Sequence, residues 1–225
     1  QKKEINKVFK KYKVCCFPYT KQFGDLVIEL SNLSGLIIYW NYMETDFLKI
    51  ATKVSKKNKA NIVLRPFINS KKNSLISNNA LKFCEKIPNL KGIIFTATKK
   101  KHLNEALNFS MRKDKNMICY GLGVTDPKNI FSTTKDLEKN FGSNRVFDVP
   151  TSENALTGIS IGAALNNVRS VVSHQRLDFF LLAMDQLVNS AAKWHYMFGS
   201  KTPIPITIRL IIGRGWGQGP THSQN

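Results

Sequence analysis

The segment DVPTSENALTGISIGAA, residues 148–164, decides the fold of the second half of the chain. Pro150 and Ser152 favour the start of a helix, and Glu153 would then lie in the first turn, where the helix dipole stabilises a negative charge. Small residues follow at positions 155, 158, 160, 162, 163 and 164, so neighbouring elements can approach the helix closely. We therefore predict a tightly packed helix that partly buries the carboxyl group of Glu153.

A buried carboxyl group in the first turn of a helix has two interpretations. Removal from water favours the protonated form of a carboxyl group, which suits proton-transfer chemistry near neutral pH. The simpler interpretation is that Glu153 only stabilises the helix dipole. The residues of this segment leave both interpretations open.

The rest of this half predicts alternating strands and helices. Strands are expected at residues 169–174 and 205–212, with the last helix between them at 178–196. The last helix carries apolar side chains at core spacing: Leu181, Met184, Leu187, Val188, Ala191 and Tyr196. His222 follows a glycine-rich loop beyond the final strand, where open α/β sheets place their ligands. Taken alone, such a histidine is more often structural.

The first half predicts a repeated strand–helix pattern of the α/β class. A basic helix is expected at residues 1–13, and four strand–helix pairs with continuous apolar strands follow over residues 13–112. This alternation is typical of a parallel sheet or of a segment of a β/α barrel.

Composition argues against several classes of protein. The formal net charge is +19, but residues 1–115 hold 24 of the Lys and Arg against 8 Asp and Glu, spread through predicted helices and turns. Because no basic stripe interleaved with aromatic residues occurs, we do not expect nucleic-acid binding. No apolar run reaches the roughly 18 residues of a membrane helix, so no membrane partner is expected. Cys15, Cys16, Cys84 and Cys119 lack metal-ligand or redox spacing, which predicts reduced thiols in a cytoplasmic protein.

Three runs of residues resemble one family of enzymes. RVFDVPTSENALTG (145–158), DQLVNSAAK (185–193) and THSQ (221–224) occur in the order found in the beta subunit of thiamine-diphosphate-dependent 2-oxo acid dehydrogenases, of the pyruvate dehydrogenase decarboxylase type. The resemblance implies a transketolase-like pyrimidine-binding domain at residues 101–225, with a parallel sheet flanked by helices. It places the first strand and loop of that domain at residues 116–124 and the next helix at 133–141. It also implies that the subunit's C-terminal domain is missing. Because the sequence begins at Gln1 and stops at Asn225, just after the His222 motif, we expect both ends of the chain to be cut.

This resemblance implies a cofactor, partners and site residues. Glu153 would hydrogen-bond the pyrimidine ring nitrogen of thiamine diphosphate and favour the tautomer that starts catalysis, and Phe179 would stack on the pyrimidine. His222 would guide substrate or a proton during acyl transfer to a lipoyl group. The alpha subunit of a heterotetramer would hold the diphosphate and its Mg²⁺, so no metal ligand is expected in this chain. The reaction would be oxidative decarboxylation of a 2-oxo acid, with a lipoyl-bearing acyltransferase as acceptor.

Residues 1–100 resemble a different family. LIIYWNY (36–42) and IIFTAT (93–98) are similar to parts of the C-terminal half of an aldo/keto reductase barrel, which predicts a partial β/α segment. The catalytic residues of that family lie in the other half of the barrel. The alternatives are therefore an NADP-dependent aldo/keto reductase fragment, or a degenerate structural subunit without activity. A junction between the two segments is expected near residues 98–102, either as a true fusion or as a broken reading frame.

Overall fold

The computed structural model describes residues 12, 14–30, 32–67, 74–97, 99–213, 219 and 222, with the backbone alone for residues 74–78. The helix predicted at residues 1–13 and most of the glycine-rich loop lie outside the described residues. The chain divides into two compact units, residues 1–105 and 106–225. Both are built from parallel strands and helices, so the predicted α/β class is confirmed.

The first unit is a four-stranded parallel sheet whose strands follow one another in chain order, β1-β2-β3-β4. Its elements are β1 (Val14–Cys16), α1 (Lys21–Ile28), β2 (Leu33–Tyr39), α2 (Leu48–Lys56), β3 (Ala60–Leu64), α3 (Ser74–Cys84) and β4 (Leu90–Ile94). A core of aliphatic residues from β2, β3 and α2, including Leu36, Val63 and Val54, joins the sheet to its helices. The predicted strand–helix alternation is therefore confirmed here.

The second unit is a parallel sheet of four strands in the order β6-β5-β7-β8. The division between the units falls within α4 (Lys100–Lys113). The elements that follow are β5 (Met117–Gly121), α5 (Asn129–Ser132), α6 (Leu137–Phe141), β6 (Val146–Asp148), α7 (Glu153–Leu165), β7 (Arg169–His174), α8 (Leu177–Phe180), α9 (Ala192–Met197) and β8 (Ile206–Leu210). A 3₁₀ turn (Leu181–Ala183) and a π-helical segment (Gln186–Ala191) lie between α8 and α9.

The sheet of the second unit has apolar side chains on both faces, as a parallel sheet covered by helices requires. Cys119 and Val171 point into a core shared with α4 and α6. Tyr120 and Val172 point into a second core shared with α7. The two cores alternate along each strand because consecutive side chains of a strand project to opposite faces of the sheet.

Arg145 connects the end of α4 to the first strand of this sheet. The guanidinium group of Arg145 donates hydrogen bonds to the main-chain oxygens of Met111, Asp114 and Met117 at 2.7–3.0 Å. These oxygens belong to the end of α4, the following turn and the first residue of β5. Arg145 therefore fixes how the chain leaves α4 and enters the sheet.

Two predicted helices differ from the structure. The helix expected at 133–141 begins only at Leu137, because the hydroxyl groups of Thr133 and Thr134 instead bind the main-chain oxygens of Ile130 and Val124. Such side-chain hydrogen bonds compete with helix formation. The residues that precede them, 129–132, all have positive φ angles, which end any regular helix.

The helix expected at 178–196 is broken into four short segments, and four of its six predicted core residues are exposed, while Leu187 and Ala191 are half-buried. Leu181 is 65% exposed and Tyr196 is 87% exposed, while Met184 and Val188 are also exposed. Burial in this region falls on Phe180 and Ala183 instead. The spacing correctly indicated an apolar face, but that face lies on the surface, and the π-helical turn interrupts the 3.6-residue period. No helix within the described ranges is long and apolar enough to cross a membrane.

The Tyr120 hydroxyl group is expected to anchor α7 to the sheet. It donates to the main-chain oxygen of Leu156 at 2.7 Å and lies 2.8 Å from the Ser160 hydroxyl oxygen, fully buried. Replacing Tyr120 with Phe leaves both groups without this partner, so the free energy of unfolding should fall by about 1–3 kcal/mol. The measurement is urea unfolding followed by circular dichroism.

The matched control is Tyr196→Phe, which removes a tyrosine hydroxyl group from an exposed site. Its effect should stay within about 0.5 kcal/mol of wild type. Equal effects of the two substitutions would show that the buried hydroxyl group does not stabilise α7.

The four cysteines should separate by reactivity with a thiol reagent at pH 8. All are free thiols, and burial raises the pKa of Cys84 to about 12 and that of Cys119 to about 11. Cys15 and Cys16 are half-buried, so we expect them to react first and the other two only after unfolding. Release of the chromophore from Ellman's reagent measures this, and Cys15→Ser should reduce the fast phase by one thiol. A single phase for all four thiols would contradict the burial described.

Candidate functional site

The carboxyl ends of the parallel strands in the second unit meet at one edge of the sheet. Gly121 ends β5 with φ of 141°, and a Cβ atom there would lie 2.2 Å from the main-chain oxygen of Ser173. Only glycine fits so close an approach between two strands. The predicted site residues follow the strands at this edge: Glu153 after β6, Phe179 after β7 and His222 after β8.

Glu153 is the first residue of α7 and only 6% exposed. Its predicted burial in a first helical turn is therefore confirmed. Ser152 occupies the N-cap position, as expected, but its hydroxyl group makes no capping hydrogen bond. No described residue donates a hydrogen bond to the carboxylate oxygens of Glu153. The buried carboxylate thus keeps its acceptor capacity.

The small residues of α7 allow close packing on one side only. The buried face of the helix includes Leu156, Thr157 and Ser160, which lie against the sheet. A Cβ atom added to Gly158 would make ordinary contact with Oε1 of Gln186 at 3.4 Å, whereas Gly162 has open space beside it. The predicted tight packing therefore holds for the side of the helix that faces the sheet.

His174, at the end of β7, is a site residue that the sequence prediction missed. It is 1% exposed, and its Nε2 atom is 3.5 Å from the Thr157 hydroxyl oxygen. The ring of Phe180 contacts it edge-to-face with centroids 5.0 Å apart. Burial lowers the pKa of His174 below the usual histidine value, while the negative charge of Glu153 acts in the opposite direction. The available signal was a histidine at the carboxyl end of a buried strand.

Phe179 and His222 lie together, with ring centroids 5.1 Å apart and planes at 84°. Both rings are half-buried. The adjacent Phe180 is the buried aromatic residue of α8. In helix α8, the ring of Phe180 therefore contacts His174 and the ring of Phe179 contacts His222.

The site thus contains two pairs of residues. Glu153 and His174 interact electrostatically and share Thr157, whose hydroxyl group donates to the main-chain oxygen of Glu153 at 3.0 Å. Phe179 and His222 form the second pair. Within the described ranges, no group of three or more His, Cys, Asp or Glu residues is arranged to hold a metal ion.

Arg209 is a half-buried charge near this edge, on the other face of the sheet. Its guanidinium group donates to the Thr133 hydroxyl oxygen at 2.7 Å, and burial lowers the pKa of Arg209. It pairs in register with Ser173 of β7, whose hydroxyl group is buried. Arg209 therefore packs with the α6 side of the sheet and not with Glu153.

The neutral state of His174 should make stability pH-dependent. Because its pKa is lowered in the folded protein, the unfolded chain takes up a proton first as the pH falls below about 6.5. Stability is therefore complete above that pH and decreases below it, by at most about 1.4 kcal/mol per pH unit for one group. The unfolding free energy of wild type minus that of His174→Phe, from urea unfolding at pH 7.5 to 5.0, should therefore decrease toward acid, because only wild type carries this group.

The exposed His195 provides the control. His195→Phe should leave a constant difference from wild type over the same pH range. A constant difference for His174→Phe as well would mean that the folded protein does not resist protonation at this position.

Comparison with known proteins locates a matching family in this part of the chain. Residues 96–224 match the family described as transketolase, pyrimidine binding domain. The chain is 34% identical over 135 residues to the beta subunit of acetoin:2,6-dichlorophenolindophenol oxidoreductase of Bacillus subtilis, covering 55% of this chain and 40% of that protein. It is 33% identical over 123 residues to the mitochondrial pyruvate dehydrogenase E1 component subunit beta of Ascaris suum, covering 55% of this chain and 34% of that protein.

A third relative extends the range of named substrates. The chain is 33% identical over 123 residues to the 2-oxoisovalerate dehydrogenase subunit beta of Pseudomonas aeruginosa, covering 55% of this chain and 35% of that protein. The chain therefore spans 40% or less of the length of these three relatives.

Proposed function

The chain belongs to the transketolase pyrimidine-binding domain family, and we propose that it forms the pyrimidine-binding part of a beta subunit in a thiamine-diphosphate-dependent 2-oxo acid dehydrogenase. The observation that carries this proposal is the Glu153 carboxylate, buried at the start of α7 with no donor from any described residue. Beta subunits among the relatives support it. Residues 101–225 would form this domain.

The residues at the sheet edge suit an aminopyrimidine ring. Such a ring offers a nitrogen that can carry a proton and a flat face that can stack. Glu153 offers a buried acceptor without a donor, and Phe179 offers a half-exposed aromatic ring. His222 lies against that ring. In the proposed complex, Glu153 would meet the edge of the cofactor's pyrimidine, and Phe179 and His222 would lie at its face.

Each side chain would have one task. Glu153 accepts a hydrogen bond from the pyrimidine ring nitrogen and, in a site shielded from water, holds the proton there. Phe179 stacks on the ring and fixes its plane. His222 lies at the reacting end and guides the substrate or a proton during acyl transfer. When bound, thiamine diphosphate supplies the nucleophilic carbon at which a 2-oxo acid loses carbon dioxide.

The surface between residues 181 and 198 supports a protein partner. Its apolar side chains are exposed, which on a folded unit marks a surface that another protein covers: Leu181, Leu182, Val188, Tyr196, Met197 and Phe198. The partner proposed is the alpha subunit of a heterotetramer, which would hold the diphosphate and Mg²⁺. A lipoyl-bearing acyltransferase would accept the acyl group, and the cytoplasm is the proposed location.

Residues 1–100 remain predicted to be a partial aldo/keto reductase-like segment. Four parallel strands in chain order, with helices between them, are the arrangement of half a β/α barrel. This supports the resemblance in architecture alone. NADPH binding by the chain would favour the reductase alternative for this segment.

The test compares two glutamates that both lie in the first turn of a helix. Glu153 is buried in α7, whereas Glu138 is exposed in α6. The chain is co-expressed with the alpha subunit, and binding of thiamine diphosphate with Mg²⁺ is measured by isothermal titration calorimetry. Glu153→Gln should weaken binding at least about tenfold, as expected for loss of a hydrogen bond to a charged group. Glu138→Gln should bind like wild type.

These variants separate the two interpretations of Glu153. If Glu153 only stabilised the helix dipole, the two substitutions would have similar effects on stability and none on cofactor binding. Absence of binding by the wild-type complex would refute the proposed function. If the wild-type complex binds the cofactor, an assay of 2-oxo acid decarboxylation with an artificial electron acceptor in the same complexes identifies the substrate.

A further inference from the structure

The geometry of His174 determines which ring nitrogen carries its proton. Its Nε2 atom is 3.5 Å from the Thr157 hydroxyl oxygen, at the outer limit of a hydrogen bond. The Thr157 hydroxyl group already donates its proton to the main-chain oxygen of Glu153. It can therefore only accept from His174, so the neutral ring carries its proton on Nε2.

The other ring nitrogen is not satisfied by the protein. Nδ1 of His174 is buried and makes no hydrogen bond with any described residue. Phe180 covers one side of the ring. A buried polar atom without a partner costs free energy, and a phenyl ring would fill the same space without that cost. Packing alone therefore does not account for a histidine at the end of β7.

Few charges act on this histidine. The titratable groups on the elements around it are Tyr120 on β5, Glu153 on α7, Arg209 on the opposite face of β8, and Arg176 and Asp178 at α8. The Tyr120 hydroxyl group is engaged with Leu156. Among all of them, Glu153 is the charge that changes the proton affinity of His174. Glu153 therefore acts on His174 by its charge, in addition to the link through Thr157.

We propose that His174 is a positioning residue for Glu153, to which it is joined through Thr157 and by electrostatic interaction. The proposal rests on the function proposed above, in which Glu153 contacts the cofactor. Neutral His174 fixes the first turn of α7 and leaves the Glu153 carboxylate free to accept a hydrogen bond. A proton taken up by His174 in mild acid places a positive charge beside that carboxylate and weakens the hydrogen bond it accepts. Cofactor binding should therefore weaken as His174 becomes protonated.

The first experiment measures the coupling in the chain without cofactor or partner. With ¹⁵N-labelled histidine, the ring nitrogens of the four histidines are followed by NMR from pH 8 to pH 5, and His174→Gln assigns the His174 signals. We expect the Nε2-protonated tautomer at pH 8. Glu153→Gln removes the charge that raises the pKa of His174, so the midpoint should move to lower pH. Glu138→Gln should leave it unchanged.

This experiment decides the coupling independently of the proposed function. An unchanged His174 midpoint in Glu153→Gln would overturn the inference, even if the complex binds thiamine diphosphate. A shifted midpoint together with no cofactor binding by the wild-type complex would refute the proposed function and leave the coupling in place.

The second experiment separates position from charge in the complex with the alpha subunit. His174→Gln can still donate to Thr157 but cannot become charged, whereas His174→Phe retains the shape alone. Calorimetry should give wild-type thiamine diphosphate affinity at pH 8 for His174→Gln and about tenfold weaker binding for His174→Phe. On lowering the pH to 5.5, affinity should fall in wild type and less in His174→Gln.

Folding is checked by the far-ultraviolet circular dichroism of each variant. If His174→Phe binds like wild type at pH 8, the positioning role is overturned. If His174→Gln loses affinity with acid as steeply as wild type, the electrostatic part is overturned. Should His174→Phe fail to fold, the comparison of His174→Gln with wild type and the NMR titration of Glu153→Gln still decide the proposal.

Discussion

The position of Glu153 depends on how α7 is held against the sheet. The Tyr120 hydroxyl group reaches from the middle of β5 to the backbone of the helix at Leu156, one turn beyond Glu153. Beneath this contact, Leu156 and Val172 close an apolar layer. The helix start is therefore held at the carboxyl edge of the sheet, which shields a carboxylate that would otherwise be hydrated.

Features encoded by neighbouring residues could be predicted from the sequence. The start of α7 at Glu153 follows from the Pro-Thr-Ser segment before it, and β7 occupies residues 169–174 as expected because its run of apolar residues has clear limits. The four-stranded sheet of the first unit follows from repeated strand–helix spacing. Burial of Glu153 could also be expected, since small residues follow it along the helix.

Features that depend on contacts distant in sequence could not be predicted. The apolar spacing at 181–196 indicates a hydrophobic face, but a sequence does not state whether the same chain or another molecule covers that face. Leu181 and Tyr196 illustrate this, because both fit the apolar spacing and both are exposed in the structure. His174 was missed because its importance comes from meeting the first turn of α7, which the residues of β7 alone do not reveal. The hydroxyl groups of Thr133 and Thr134 bind main-chain oxygens, so α6 begins only at Leu137. The apolar spacing of a helix does not indicate such contacts.

The contacts of Arg145 determine where this unit can be separated from the residues before it. Its guanidinium group spans three main-chain oxygens, two of which belong to Met111 and Asp114. An expression fragment that started at the first strand of the sheet would lack these two acceptors, and water would replace them at the guanidinium group. A fragment that retains the last turns of α4 keeps the acceptors. A fragment that preserves all the contacts of Arg145 therefore begins within α4, although the arginine itself lies just before β6.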